Sequence, residues 1–307
     1  MILPAPGAMM IAVMPFAASS RNDNTALDRK YYDVEVLSPA EHVRLAGRGK
    51  AEGVILEIGP SAAPSLKVWS SLADCRGALA PHYAAITVAG VGSSALGAAA
   101  LGRNVADAVD APVLAVVAGN GMGDLTGEAL GGFFVFGGIN ALRHGAAVMN
   151  RSIGTLRAFW PWLAPPAFDT FDPAQGFMLA HLSTDVRSLA ALLAGQVKTD
   201  LLVGHSKGNL VISEALFAVR RQQPARYAEF APHLRVVTFG ARIAMPPEIA
   251  SVIDVMGSED RLGEFNSRRD IAVDVSVQGA DHHTNTRLPG HVPVTQVLKR
   301  VLKGDAA

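Results

Sequence analysis

Asp200-Leu201-Leu202-Val203-Gly204-His205-Ser206-Lys207-Gly208-Asn209-Leu210-Val211-Ile212-Ser213-Glu214-Ala215-Leu216 decides the fold. A short apolar run leads into Gly204-His205-Ser206-Lys207-Gly208, and a helical pattern follows. This is strand, G-x-S-x-G, helix. A serine between strand and helix stands on a very sharp turn and lifts its hydroxyl above the sheet edge. The residues two before and two after it come close together, so only small ones fit there, hence Gly204 and Gly208. The helix N-terminus faces the same place, and the amide of Lys207 can donate to an oxyanion.

Outward from this stretch, short apolar segments alternate with helical ones. Candidate strands are Val54–Ile58, Ala84–Ala89, Pro112–Val117, Asp200–Val203, Leu234–Phe239, Ser251–Val255 and Ile271–Val277. Leu179, Leu182, Val186, Leu189 and Leu193 step by three and four, as do Val294, Val297, Leu298, Val301 and Leu302. Each set lies on one helical face, and Pro293 suits a first turn. Such alternation predicts an α/β fold, a mostly parallel sheet flanked by helices. No repeat or low-complexity linker breaks the chain, so residues 1–307 read as a single domain.

About sixty residues separate the strand ending near Val117 from the helix starting near Met178, too many for a simple crossover. Phe133, Phe134, Phe136, Phe159, Phe168, Phe171, Phe177, Trp160 and Trp162 fall there. The segment 120–177 is expected to be a helical, aromatic-rich insertion. It either enlarges the core or forms a cap (lid) over an apolar pocket.

A nucleophilic serine needs a base, and the base needs an orienting acid. Downstream, Asp260 sits just past the strand at Ser251–Val255, where a loop carboxylate can reach the serine. Glu259 is the alternative, and Asp254 lies inside the strand. The base comes from His282, His283 or His291, with His282 preferred because it follows the last candidate strand. His291, at the start of the final helix, would face a helix N-terminus that disfavours imidazolium. The second oxyanion amide is expected from the loop Gly90-Val91-Gly92-Ser93-Ser94, with Val91 as first choice and Gly92 and Ser93 beside it.

The composition excludes several classes. The chain has 27 basic and 27 acidic residues, so no net charge favours nucleic acid as a partner. One cysteine, Cys75, rules out an internal disulfide and favours a reducing compartment. The apolar run Met9–Ala18 has no Lys or Arg before it, the first being Arg21, and is read as mature sequence of a cytoplasmic protein. No uncharged apolar stretch is long enough to span a bilayer. Asp281-His282-His283 has no further Cys or His at ligand spacing, so no metal is expected. No cofactor is expected either. Gly90-Val91-Gly92-Ser93-Ser94-Ala95 is G-x-G-x-x-A, but the next strand ends in Val116-Val117-Ala118-Gly119 without the acid a dinucleotide ribose requires.

These residues resemble the α/β-hydrolase superfamily, and in particular the class 3 (triglyceride-type) lipases. The resemblance rests on Gly204-His205-Ser206, Thr238-Phe239-Gly240-Ala241-Arg242, Asp260 with an apolar residue two later, and Asp281-His282 three residues before Asn285. It covers roughly residues 84–300. It implies an α/β-hydrolase fold and hydrolysis of a small-molecule or lipid-like carboxylic ester through an acyl-serine. There are departures: Lys207 and Asn209 replace the small or apolar residues usual there, and an aromatic is usual at Asn285. A non-catalytic lipid-binding or scaffold role on the same fold is the main alternative.

Overall fold

The computed structural model describes residues 21–45, 52–75, 77–90, 93–118, 184–195 and 197–304. The described residues begin with helix α1 (Arg21–Tyr31), a 3-10 turn at Val34–Val36 and α2 (Pro39–Leu45). Strands β1 (Ile55–Ile58) and β2 (Leu66–Trp69) follow, then the short α3 (Leu72–Cys75), β3 (Ile86–Val88), α4 (Ala95–Val109) and β4 (Val113–Val116). After α5 (Thr184–Ala194) come β5 (Leu201–His205), α6 (Lys207–Gln222), α7 (Pro224–Phe230), β6 (Arg235–Phe239) and β7 (Ser251–Gly257). The last described elements are α8 (Arg261–Asn266), β8 (Val275–Val277) and α9 (Val294–Lys303).

The described strands form an eight-stranded sheet in the order β2-β1-β4-β3-β5-β6-β7-β8. From β4 to β8 every pair is parallel, while β1 runs antiparallel to both β2 and β4. The architecture is α/β, with a mostly parallel sheet flanked by helices. Strands such as Leu201–His205 and Val113–Val116 are buried at every residue, as a sheet covered on both faces demands. One apolar cluster gathers α4 and α9 on one face, and another gathers α5, α6 and α7 on the other.

Two sequence readings need correction at their edges. The last candidate strand is cut to Val275–Val277, because Asp274 instead bonds back to the Asp254 carbonyl and carboxyl-bonds the Asp254 amide. The antiparallel β2 and the N-terminal helices have no counterpart in the sequence reading. Leu66-Lys67-Val68-Trp69 alternates over four residues only, too short a signal to separate from loop. The aromatic-rich segment 120–177 lies outside the described residues, as do Leu179 and Leu182. No helix among the described residues is long and apolar enough to cross a membrane.

The order reverses between β3 and β5: from β3 the chain moves to β4 on one side and later enters β5 on the other. Loops leaving neighbouring strands in opposite directions open a crevice at their carboxyl ends. Close packing at this point fixes the start of α6. A Cβ built on Gly208 would lie 2.1 Å from the Val88 carbonyl oxygen, which is backbone and has little room to retreat. Gly208→Ala is therefore expected to destabilise the fold by about 2–4 kcal/mol through overpacking, measurable as a lower midpoint in urea. An unchanged midpoint would show that α6 can shift away from β3.

Candidate functional site

Four loops leave the carboxyl ends of the parallel strands and meet at the crevice. Ser206 follows β5, Gly90 follows β3, Asp260 follows β7 and His282 follows β8. Ser206 sits at φ 54° and ψ −122°, a region non-glycine residues rarely adopt. The surroundings dictate this turn. The Ser206 amide donates to the Phe239 carbonyl at 2.8 Å, and the Asn209 amide bonds back to the Ser206 carbonyl at 3.0 Å. A Cβ on Gly204 would meet Asn209 Oδ1 at 2.2 Å, and one on Gly90 would meet Ser206 Cβ at 3.0 Å. Small residues on three sides are what let the turn close.

The structure brings Ser206, His282 and Asp260 into one hydrogen-bonded chain. Ser206 Oγ lies 2.9 Å from His282 Nε2, and His282 Nδ1 lies 2.9 Å from both Asp260 oxygens. A carboxylate only accepts, so Nδ1 carries the proton and Nε2 is left to accept from the serine hydroxyl. All three side chains are buried, Asp260 to 1% exposure. Asp260 also caps α8, accepting from the Gly263 amide at 2.6 Å. A Cβ on Gly263 would lie 2.4 Å from that carboxylate, and one on Gly240 (φ 69°) would lie 3.1 Å from the His282 ring. Glycines thus form the floor under the imidazole and carboxylate. Asn209, a departure from the resembled pattern, staples this floor by donating to the Phe239 and Ala241 carbonyls at 3.0 and 2.9 Å.

The other candidates stand elsewhere. His283 Nε2 lies 3.1 Å from the Pro289 carbonyl, and His291 Nδ1 lies 2.9 Å from the Leu288 carbonyl. Both rings brace the loop after His282 instead of approaching Ser206. Glu259 is exposed, whereas Asp254 is buried and bonds Thr238 on the neighbouring strand. Burial pushes the Asp254 carboxyl up to about 6. Lys207 is the first residue of α6, at the helix end where anions are favoured. Val91 and Gly92 lie outside the described residues. Their described neighbours are engaged: the Gly90 amide by the Tyr32 hydroxyl at 2.6 Å, and the Ser93 amide by the Gly90 carbonyl at 3.3 Å. Among the described residues, no group of three or more His, Cys, Asp or Glu side chains is placed to hold a metal ion.

The N-terminal segment is the part that sequence reasoning missed. The Tyr31 ring meets His282 edge-on, with centroids 6.1 Å apart. Thr284, two residues after His282, donates its amide and its hydroxyl to the Tyr31 carbonyl at 2.8 and 3.0 Å. Asn285 Nδ2 donates to the Arg29 carbonyl at 2.6 Å. On the other side, Asp28 accepts from the hydroxyl and amide of Ser94, the N-cap of α4. Asp28 and Tyr32 are four apart, one helical face, which was the only trace available in the sequence.

No family model, curated protein or solved structure matches this chain.

Asp28 makes the pH behaviour of this corner testable. Burial pushes its carboxyl from 3.8 up to about 7, against the lowering effect of its bonds to Ser94. The folded state thus keeps a proton that the unfolded chain releases near pH 4. Stability from this group is complete below that pH and is lost as pH rises through about 7. In thermal melts from pH 5 to 8, Asp28→Asn should gain on the wild type as pH rises. A gap that stays constant would show that Asp28 does not titrate in this range.

Proposed function

We propose that this protein is a serine hydrolase of the α/β-hydrolase type that cleaves carboxylic esters. The observation that carries the proposal is the buried Ser206–His282–Asp260 chain, with both links at 2.9 Å and Ser206 on a positive-φ turn. Such a constellation is recognised by geometry and roles, and this one has the order Ser, Asp, His along the chain.

In the proposed reaction, Ser206 Oγ attacks the ester carbonyl as its proton passes to His282 Nε2. Asp260 holds the imidazole by Nδ1–H and stabilises the imidazolium that forms. Charge developing on the carbonyl oxygen is met by the amide of Lys207 and by an amide of the loop after Gly90, with Val91 the candidate. His282 returns the proton to the leaving alkoxide, releasing the alcohol. Water, deprotonated by the same imidazole, then attacks the acyl-serine, and Ser206 recovers its proton as the acid leaves. The likeness to the class 3 lipases and the apolar composition of segment 120–177 point toward acyl or aromatic esters.

Hydrolysis of p-nitrophenyl esters from acetate to palmitate, with wild type beside Ser206→Ala, tests this reading. Wild-type turnover is expected with a defined optimum of chain length. Ser206→Ala should lose at least about a thousandfold in kcat/KM. An active-site-directed phosphonate should label Ser206 in the folded wild type. Folded protein that neither turns over any ester nor takes the label would sink the proposal.

A further inference from the structure

His205 occupies the x of G-x-S-x-G, directly before Ser206, and ends an apolar strand. A polar ring at 2% exposure in such a strand must satisfy both nitrogens internally. It does so in a way that fixes its tautomer. Nε2 lies 2.9 Å from the main-chain carbonyl of His282, which can only accept, so Nε2 carries the hydrogen. Nδ1 lies 2.9 Å from the Tyr32 hydroxyl. With a neutral ring, Nδ1 accepts and Tyr32 donates. The phenol oxygen in turn accepts the Gly90 amide at 2.6 Å.

One bonded path therefore joins three separate loops. It runs from the Gly90 amide, after β3, through the Tyr32 phenol and the His205 ring to the main chain of His282, after β8. His205 is bonded covalently to Ser206 itself. None of these contacts touches the Ser206 hydroxyl or the His282 ring nitrogens. Their effect is on where the parts stand.

We propose that Tyr32 and His205 are positioning residues that set the Gly90 loop and the His282 backbone against Ser206. The proposal rests on the reading of Ser206 and His282 as nucleophile and base. Burial, reinforced by the nearby His282, pushes His205 down to about 3, so the ring stays neutral across ordinary pH and keeps its acceptor for Tyr32. Desolvation likewise holds the Tyr32 phenol well above its usual range, so it keeps its proton to donate. The His205 and His282 rings lie 5.1 Å apart, yet only His282 has a carboxylate partner. Two imidazoles in one corner thus stand differently: one is a neutral strut between Tyr32 and the His282 carbonyl, the other turns its Nε2 to the Ser206 hydroxyl.

The test compares Tyr32→Phe, His205→Phe and His205→Gln with the wild type, by ester kinetics, by thermal melting, and by NMR of the 15N-labelled His282 ring. Tyr32→Phe leaves the Gly90 amide and His205 Nδ1 without their partner. His205→Phe keeps a ring but removes both bonds, and Gln restores a side-chain N–H able to reach the His282 carbonyl. For the two Phe variants, kcat should fall by about a hundredfold, the scale of an ångström-sized misplacement, with KM little changed. His205→Gln should recover most of that loss. The His282 ring resonances should move in Tyr32→Phe, although Tyr32 does not hydrogen-bond that ring. A lower melting point with kcat and His282 resonances unchanged would overturn the proposal and leave a merely structural role. Were His205→Phe not to fold, Tyr32→Phe and His205→Gln would decide alone. Were the wild type inactive on every ester and unlabelled by phosphonate, the hydrolase reading would fall, and the NMR shift would still decide for or against positioning.

Discussion

The turn at Ser206 is the constraint from which the rest of the site follows. A serine at φ 54° is held against a backbone preference of about 1–3 kcal/mol, so its neighbours must over-determine it. They do this by closeness. Gly208 presses on β3, Gly204 lies under Asn209, and the Phe239 carbonyl takes both the Ser206 amide and the Asn209 side chain. These contacts exist only because β3, β5 and β6 are adjacent and parallel, ending at one edge. The sheet order and the strained serine are therefore one problem. A register slip of β5 against β6 would remove the Phe239 carbonyl from Ser206 and let the turn relax.

The same edge explains the electrostatics. Parallel strands deliver every loop to the same side, so polar groups crowd where solvent is excluded. In that setting a charge survives only beside its partner. Asp260 has the Gly263 amide and the His282 Nδ1–H, two donors converging on one carboxylate. Asp28 has Ser94 and the Gly97 amide as donors, yet burial outweighs them and pushes its carboxyl up to about 7. Asp254 has Thr238 and lies beside the Asp274 charge, and it too is pushed up. In both Asp28 and Asp254 the desolvation of a buried carboxyl outweighs the donors that face it.

The sequence carried the sheet and the Ser206, Asp260 and His282 cluster well, for a local reason. Buried parallel strands are nearly continuous apolar runs, and a glycine-flanked serine between strand and helix leaves its steric signature within five residues. That His282, and not His283 or His291, stands beside Ser206 was also legible, because the end of a strand is a fixed place in such a sheet. What did not show was everything contributed by the chain's first described helix. Asp28, Tyr31 and Tyr32 act on partners more than fifty residues away, and no local pattern announces such pairing. His205 was visible but unreadable: its apolar neighbours mark it as buried, while its two partners come from Tyr32 and His282, distant in sequence. Asn209 stood out only as a departure, and its reason lies in carbonyls thirty residues further on.

The N-terminal segment then changes what counts as the site. The loop after β8 that carries His282 has little regular structure of its own; β8 is three residues long. A loop on so short a strand is loosely specified unless something else fixes it. Here the fixing groups are the Arg29 and Tyr31 carbonyls at the end of α1, the Asp33 carboxylate that accepts from Thr286, and the Tyr31 ring itself. On the opposite side, Asp28 and Tyr32 hold the start of α4 and the Gly90 loop. One short segment thus spans the crevice and grips both walls. The Asp28 and Tyr32 side chains reach the loop after β3, and the Arg29 and Tyr31 carbonyls, with the Tyr31 ring and the Asp33 carboxylate, reach the loop after β8. The spacing between Gly90 and His282 is then tied to the rigidity of a single helical turn instead of resting on two independent loops.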